Sequence, residues 1–200
     1  MRPICSWATS SERARGRAIL AVALLAAAAA LGGPQRADGK IFLTADEAVG
    51  LAFPGCEVAH RTAILTPEQQ RRARELAGEE IAGALVSYYL AACRGRPAGA
   101  AYLDTHRVRT QPETLMIAVD PSGKTLRIEV LAFREPEEYL PRGAWYQQFI
   151  GKTLGPELQL KRAILPVSGA TLTARATTGA VRRVLALHQV IAPQVAAPAP

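Results

Sequence analysis

The chain has 200 residues, of which 49% are hydrophobic, enough for one ordinary domain with a buried core. Much of its formal net charge of +7 lies at the N-terminus. Residues 1–37 contain five arginines and one glutamate, which leaves 19 basic and 16 acidic residues, a net charge of +3, for the rest. A basic excess this small gives no reason to expect a nucleic-acid-binding protein.

An apolar run at residues 18–31 follows Arg13, Arg15 and Arg17. The run has about 14 residues, fewer than the roughly 20 that a membrane-spanning helix needs, and Gly32-Gly33-Pro34 comes after it. This order of basic, apolar and helix-breaking residues is typical of a Sec-type signal peptide, which we place at residues 1–37. It predicts an extracytoplasmic protein, periplasmic or membrane-associated. Retention of the segment as an uncleaved anchor stays open.

Residues 38–97 are expected to contain two helices, a strand between them and the first strand of a hairpin. Thr44 and Glu47 have the spacing of a capping box, and Pro54-Gly55 would end the helix that they begin. Val58 to Leu65 alternates weakly, as a strand does. Thr66-Pro67-Glu68 has Pro at the first position of a second helix. The arginines of that helix form either a solvated face or a docking patch for an acidic partner: Arg71, Arg72 and Arg74.

Two β-hairpins follow these helices. In each, two apolar stretches flank a turn sequence: Ala84–Cys93, Arg94–Pro97 and Ala98–Thr105, then Leu115–Val119, Asp120–Gly123 and Thr125–Phe133. Hairpins pair antiparallel, and helical patterns lie before and after them. The predicted fold is therefore α+β, an antiparallel sheet built from hairpins and flanked by helices.

The C-terminal third begins irregularly. Ala144 to Phe149 predicts one or two helical turns, and an apolar segment covers Leu158 to Leu165. Helical spacing begins at Thr171. Residues 191–200, rich in Ala and Pro, are expected to be a disordered tail.

Two cysteines, Cys56 and Cys93, remain once Cys5 has left with the leader. Their spacing matches no metal or redox motif. In an oxidising compartment they can form a disulfide, or they can be two small, partly buried side chains. Both interpretations stay open.

Ser168-Gly169-Ala170-Thr171 leads from a loop into the C-terminal helix. The first turn of a helix offers unpaired N–H groups and the positive end of the helix dipole, and it binds phosphate readily. On physical grounds alone the run is a plausible anion site, or simply a helix cap with Gly169 in its turn.

Ser168 to Thr173 resembles the flavinylation motif of the FMN-binding domain family, which includes the FMN-carrying subunits of the Rnf complex and of the sodium-pumping NADH:quinone oxidoreductase. The strand at Gly123 to Glu135 and the segment Trp145 to Lys152 resemble the family too, in the same order. The resemblance covers roughly residues 98 to 190, which we assign to an FMN-binding domain.

The resemblance implies an electron-transfer protein whose FMN phosphate is esterified to Thr171. Ser168, Gly169, Ala170 and Thr173 would contact the phosphate. Trp145 and Tyr146, with Phe149 behind them, are candidates to pack on the flavin ring, or they belong to an ordinary core. It also implies a membrane-associated redox complex as partner and a flavin transferase for maturation; no metal is implied.

One position departs from the family, because Leu165 stands where an Asp usually precedes the motif. The transferase is thought to recognise that Asp, so the resemblance implies FMN binding more directly than covalent attachment. A non-redox exported binding module of the same fold that has lost flavin is the alternative, and a flavoenzyme acting on a small substrate is a third interpretation.

Other polar residues are candidates for roles near a cofactor. Asp104, Thr105, His106, Arg107 and Arg109 form a polar cluster in which His106 either orients a ligand or is structural. Two interpretations stay open for three acidic residues and a lysine, which either are solvated at the surface or lie beside FMN: Glu135, Glu137, Glu138 and Lys152. Ser168 lacks the flanking glycines of a hydrolase nucleophile elbow.

Overall fold

Six antiparallel strands form one sheet in the order β1-β6-β5-β4-β3-β2. The computed structural model describes residues 40–196, with side chains to residue 191, so the predicted leader lies outside the described residues. The strands are β1 Lys40–Ile41, β2 Glu57–Ile64, β3 Leu85–Cys93, β4 Arg96–Arg107, β5 Pro112–Val119 and β6 Thr125–Phe133. The helices are α1 Ala45–Ala52, α2 Pro67–Ala77, α3 Gly143–Tyr146 and α4 Thr171–Ala196. The predicted α+β class is confirmed.

Strands β2 to β6 follow one another as a meander, and the N-terminal strand β1 pairs with β6 at the far edge. The chain therefore crosses one face of the sheet as α1 before it reaches β2. Gly99 in β4 allows this face to pack closely, since a Cβ there would collide with the Val119 carbonyl and the Phe53 ring. The predicted division between residues 97 and 98 falls inside β4.

The opposite face of the sheet is covered by α4, with α2 packed beside it. Buried apolar residues of α4, such as Ala174, Val181 and Leu185, meet the inward side chains of β3, β4 and β5 there. Arg182 of α4 donates hydrogen bonds to the carbonyls of Ala77 (2.6 Å), Gly155 (2.8 Å) and Leu158 (3.0 Å). One arginine thus joins the C-terminus of α2 and a long loop to α4, where a cation also favours the helix dipole.

Local sequence signals set the helix starts. The hydroxyls of Thr44 and Thr66 accept from the N–H groups of Glu47 and Gln69, whose side chains bond back to the cap, so both helices begin with capping boxes. α4 continues to Ala196, into the segment expected to be a tail, and residues 197–200 lie outside the described part. No helix among residues 40–196 is long and apolar enough to cross a membrane.

Cys56 and Cys93 form a disulfide with a Cα–Cα distance of 4.4 Å. The ladder between β2 and β3 explains this closeness. Its terminal pair is Glu57 with Ala92, and the two cysteines occupy the next register position. The disulfide therefore closes the end of this two-strand ladder.

Candidate functional site at the start of α4

The Ser-Gly-Ala-Thr motif forms a turn that delivers the chain into α4. Ser168 and Gly169 are exposed, Ala170 is buried, and Thr171 is the exposed first residue of the helix. Gly169 has a φ of +82°, in the left-handed region that favours glycine, although a Cβ there would meet open space. The glycine is therefore required by the backbone turn, which leaves Thr171 solvent-exposed at the helix start.

The first turn of α4 presents backbone donors at this point. The first N–H that donates to a carbonyl four residues earlier, as in an α-helix, is that of Ala174, to the carbonyl of Ala170 at 2.9 Å. The N–H groups of Thr171, Leu172 and Thr173 precede it and have no intrahelical acceptor. They form the positive end of a helix of 26 residues.

Thr173, which the resemblance places at the phosphate, is buried. Its hydroxyl donates a 2.6 Å hydrogen bond to the carbonyl oxygen of Tyr139. The proton of this hydroxyl is therefore already used in joining α4 to the short 3-10 turn at Glu137–Tyr139. Thr171 and Ser168 retain exposed hydroxyls.

A pocket of about 200 Å³ lies beside the motif. Five of its lining residues belong to the motif and the start of α4, Gly169 to Thr173. The others come from three separate parts of the chain: Val108 with Arg109, Glu135, and Tyr139. Gly169 to Thr171 and Thr173, four of the residues predicted to contact the phosphate, therefore line one cavity. Ser168 and Trp145 do not line it.

Glu135 organises one wall of this pocket. Its Oε1 accepts hydrogen bonds from three consecutive backbone N–H groups, those of Arg109 (3.2 Å), Thr110 (2.6 Å) and Gln111 (2.8 Å). Burial of the carboxyl acts in the opposite sense, but these bonds hold the pKa of Glu135 below its ordinary value. A charged Glu135 therefore fixes the loop between β4 and β5, and its role is to shape that wall.

Trp145 lies in the core. Its indole N–H donates to the carbonyl of Leu165 at 2.7 Å, and its ring packs edge-on against those of Tyr146 and Phe149. Ordinary core packing accounts for all three aromatic residues. The expectation that Trp145 packs on a flavin ring has no support in this position.

The remaining acidic and basic candidates are at the surface. Glu137 forms an exposed 3.0 Å ion pair with Lys40. Glu138 and Lys152 are exposed and do not line the pocket. Two arginines of α2 pair with its own glutamates, Arg71 with Glu68 and Arg72 with Glu75, and Arg74 pairs with Glu80 beyond the helix.

The polar cluster predicted around His106 separates into two groups. Asp104 and His106 belong to β4 itself and face α4, whereas Arg109 lies beyond the strand, at the pocket. The His106 imidazole sits between two carboxylates, 2.8 Å from Asp104 through Nδ1 and 3.0 Å from Glu113 through Nε2. Arg183 of α4 donates two hydrogen bonds to Asp104, at 2.7 and 3.0 Å.

We call these four residues the His106 cluster: Asp104, His106, Glu113 and Arg183. Burial lowers the pKa of His106, but its hydrogen bonds to Asp104 and Glu113 outweigh burial, and the pKa is raised. Burial raises the pKa of Asp104, but the His106 and Arg183 bonds bring it down to about 2. The cluster therefore favours the protonated form of the imidazole and the charged form of the Asp104 carboxylate.

Glu113 and Arg183 were not singled out from the sequence. Glu113 is fully buried in β5, where it stands opposite His106 in the ladder. Its Oε2 also accepts from the Thr177 hydroxyl of α4 at 3.3 Å, while its Oε1 has no hydrogen-bond partner. An acidic residue at an inward position of an otherwise apolar strand was the available signal. Both ring nitrogens of His106 are occupied, and residues 40–191 contain no group arranged to bind a metal.

A scan of the sequence against protein-family models finds no match, and a search of the curated proteins finds none either.

Proposed function

We propose that this protein binds FMN through its phosphate at the start of α4 and carries electrons for a membrane-associated redox complex. The observation that carries the proposal is the position of Thr171. This residue is exposed, it begins the helix turn whose N–H groups are unpaired, and it lines a pocket. Helix N-termini of this kind favour phosphate. The resemblance of Ser168 to Thr173 to a flavinylation motif supplies the identity of the phosphate ligand.

The size of the pocket supports a carrier. At about 200 Å³, it is smaller than the roughly 300–1,000 Å³ that encloses a whole cofactor. It suits a phosphate with part of the ribityl chain, so the isoalloxazine ring would lie outside, open to a partner. FMN supplies the redox chemistry when bound, and the protein supplies position and electrostatics.

Thr171 is the proposed point of covalent attachment. In the transfer, the Thr171 oxygen forms a bond to the flavin phosphorus as the bond between the two phosphates of a flavin dinucleotide donor breaks. A nucleoside monophosphate leaves, and the hydroxyl proton passes to a base of the transferase. Because Thr171 begins α4 and is exposed, a transferase can reach it without unfolding the domain.

The test is co-expression of the full chain with a flavin transferase, followed by intact-mass analysis and visible absorbance. We expect a mass increase of one FMN less one water, absent from Thr171→Ala and retained in Thr153→Ala, a matched variant of an exposed threonine outside the motif and the pocket. An unmodified wild-type mass would contradict the covalent bond. A flavin retained in Thr171→Ala would place the acceptor elsewhere.

A second candidate is an exported binding module that has lost flavin, and Leu165 favours it, because the family usually has Asp there. Incubation of the purified protein with excess FMN distinguishes the two. Protein that stays colourless after gel filtration, with and without transferase, would favour the second candidate.

A further inference from the structure

Arg109 is the cationic side chain among the residues that line the pocket beside Thr171. Its guanidinium lies 5.7 Å from the centroid of the Tyr139 ring, a cation–π distance. The side chain is exposed, and no carboxylate pairs with it in the part of the chain that the structure describes. A guanidinium in this state retains its donors for a ligand.

The backbone that carries Arg109 is fixed on both sides. Glu135 binds the N–H groups of Arg109, Thr110 and Gln111, and the N–H of Val108 donates to the carbonyl of Gln111 at 3.1 Å. The negative charge of Glu135 is directed at these amides. The backbone of this loop is therefore preorganised around Arg109, so a ligand would bind with little further ordering of the backbone.

Tyr139 connects the loop that carries Arg109 to α4. Its ring lies under the Arg109 guanidinium, and its carbonyl accepts the 2.6 Å hydrogen bond from Thr173. Arg109 and the unpaired N–H groups of Thr171 to Thr173 are consequently held on one frame, across a pocket of about 200 Å³. Two independent sources of positive potential converge on the same small volume.

We propose that Arg109 is the specificity-determining residue of the site, which selects flavin that carries a phosphate over flavin that lacks one. This assignment rests on the proposed FMN-binding function. A planar guanidinium matches a phosphate with two parallel N–H···O bonds, and such charge-assisted bonds are about twice as strong as neutral ones. The shared chemistry is a phosphate group, from FMN or from inorganic phosphate.

The test uses the full chain produced without a flavin transferase, so that binding is reversible. Flavin fluorescence gives the Kd for FMN and for riboflavin, and inorganic phosphate is added as a competitor. Wild-type protein is expected to prefer FMN. Arg109→Gln is expected to weaken FMN binding by about tenfold to a hundredfold, with riboflavin binding unchanged, and Arg109→Lys should lie between.

Arg175→Gln is the matched control, because Arg175 is an exposed arginine of α4 that lines a different pocket. It should keep the wild-type ratio of the two Kd values, and melting curves should show all variants folded. Wild-type protein that binds neither flavin overturns the proposed function and this assignment with it. Wild-type protein that binds FMN, with the same ratio in Arg109→Gln, overturns the role of Arg109 alone. Inorganic phosphate that competes with FMN equally well in wild type and in Arg109→Gln also overturns the role of Arg109.

Discussion

The indole N–H of Trp145 donates a 2.7 Å hydrogen bond to the carbonyl oxygen of Leu165. The N–H of Leu165 in turn donates to the Gln148 side chain at 2.8 Å, so both backbone groups of this residue are held by one segment. The Leu165 side chain is 65% exposed. The position that departs from the flavinylation pattern thus has a fixed backbone and a side chain that the core does not use.

Leu165→Asp should therefore restore a transferase signal at little structural cost. Neither backbone hydrogen bond involves the side chain, and surface substitutions of this kind change stability by about 0.5 kcal/mol or less. We expect a larger flavinylated fraction than in the wild type when the transferase is co-expressed, measured by intact mass. Ile150→Asp, which adds the same charge at another exposed apolar position outside the pocket, is the control. An equal gain in both variants would point to charge alone and contradict a specific signal at 165.

The sequence predicted the parts of the fold that depend on local patterns. Thr44 with Glu47 specified a helix start, and Asp120 to Gly123 specified a hairpin, because caps and turns are satisfied by residues a few positions apart. The sheet class followed from these pieces. Local signals also placed Gly169 and Thr171 correctly, at a turn and a helix start.

The contacts between distant parts of the chain could not be predicted in this way. Glu135 reaches amides 24 to 26 residues back, and Arg183 reaches Asp104 across 79 residues. Nothing near Asp104 in sequence reveals that it also meets Arg183. Trp145 shows the same limit, because its expected place on a ligand was taken by a core position that satisfies its N–H with the Leu165 carbonyl.

Thr173→Val tests the link between α4 and Tyr139. Valine keeps the shape of the side chain but leaves the Tyr139 carbonyl without its donor, which should cost about 1–3 kcal/mol of unfolding free energy. Urea denaturation measures this loss. The FMN preference over riboflavin should also fall, since Tyr139 supports Arg109. Thr173→Ser retains a hydroxyl and should keep both properties. Unchanged stability in the valine variant would show that the hydrogen bond contributes nothing.

Stability should depend on pH through His106. Its folded-state pKa is raised, so its contribution to stability is fully present below the unfolded value of about 6.5 and is lost as the pH rises through the folded value. Asp104 acts in the opposite direction. Its pKa is lowered to about 2, so its contribution is present above the unfolded value and is lost as the pH falls toward 2.

His106→Gln isolates this contribution. Removal of the imidazolium leaves two buried carboxylates with less compensation, a change that costs about 3–5 kcal/mol for a buried pair. Urea denaturation from pH 6 to 9 should show the difference between wild type and variant shrinking as the pH rises. His188 also titrates, but burial lowers its pKa, and it is common to both proteins. A difference that stays constant over this range would contradict a protonated His106.

Reduction of the Cys56–Cys93 disulfide should lower stability without changing the fold. The bond spans 37 residues, and closure of a loop of this size is worth about 2–4 kcal/mol through the unfolded chain. The two cysteines extend an existing β2–β3 ladder, so the reduced strands retain their register. Denaturation with and without reductant measures the change, and a double Cys→Ser variant should behave like reduced protein and be insensitive to reductant. FMN binding should survive in both, because the disulfide lies outside the pocket beside Thr171. Loss of FMN binding on reduction would show that this end of the sheet is coupled to the site.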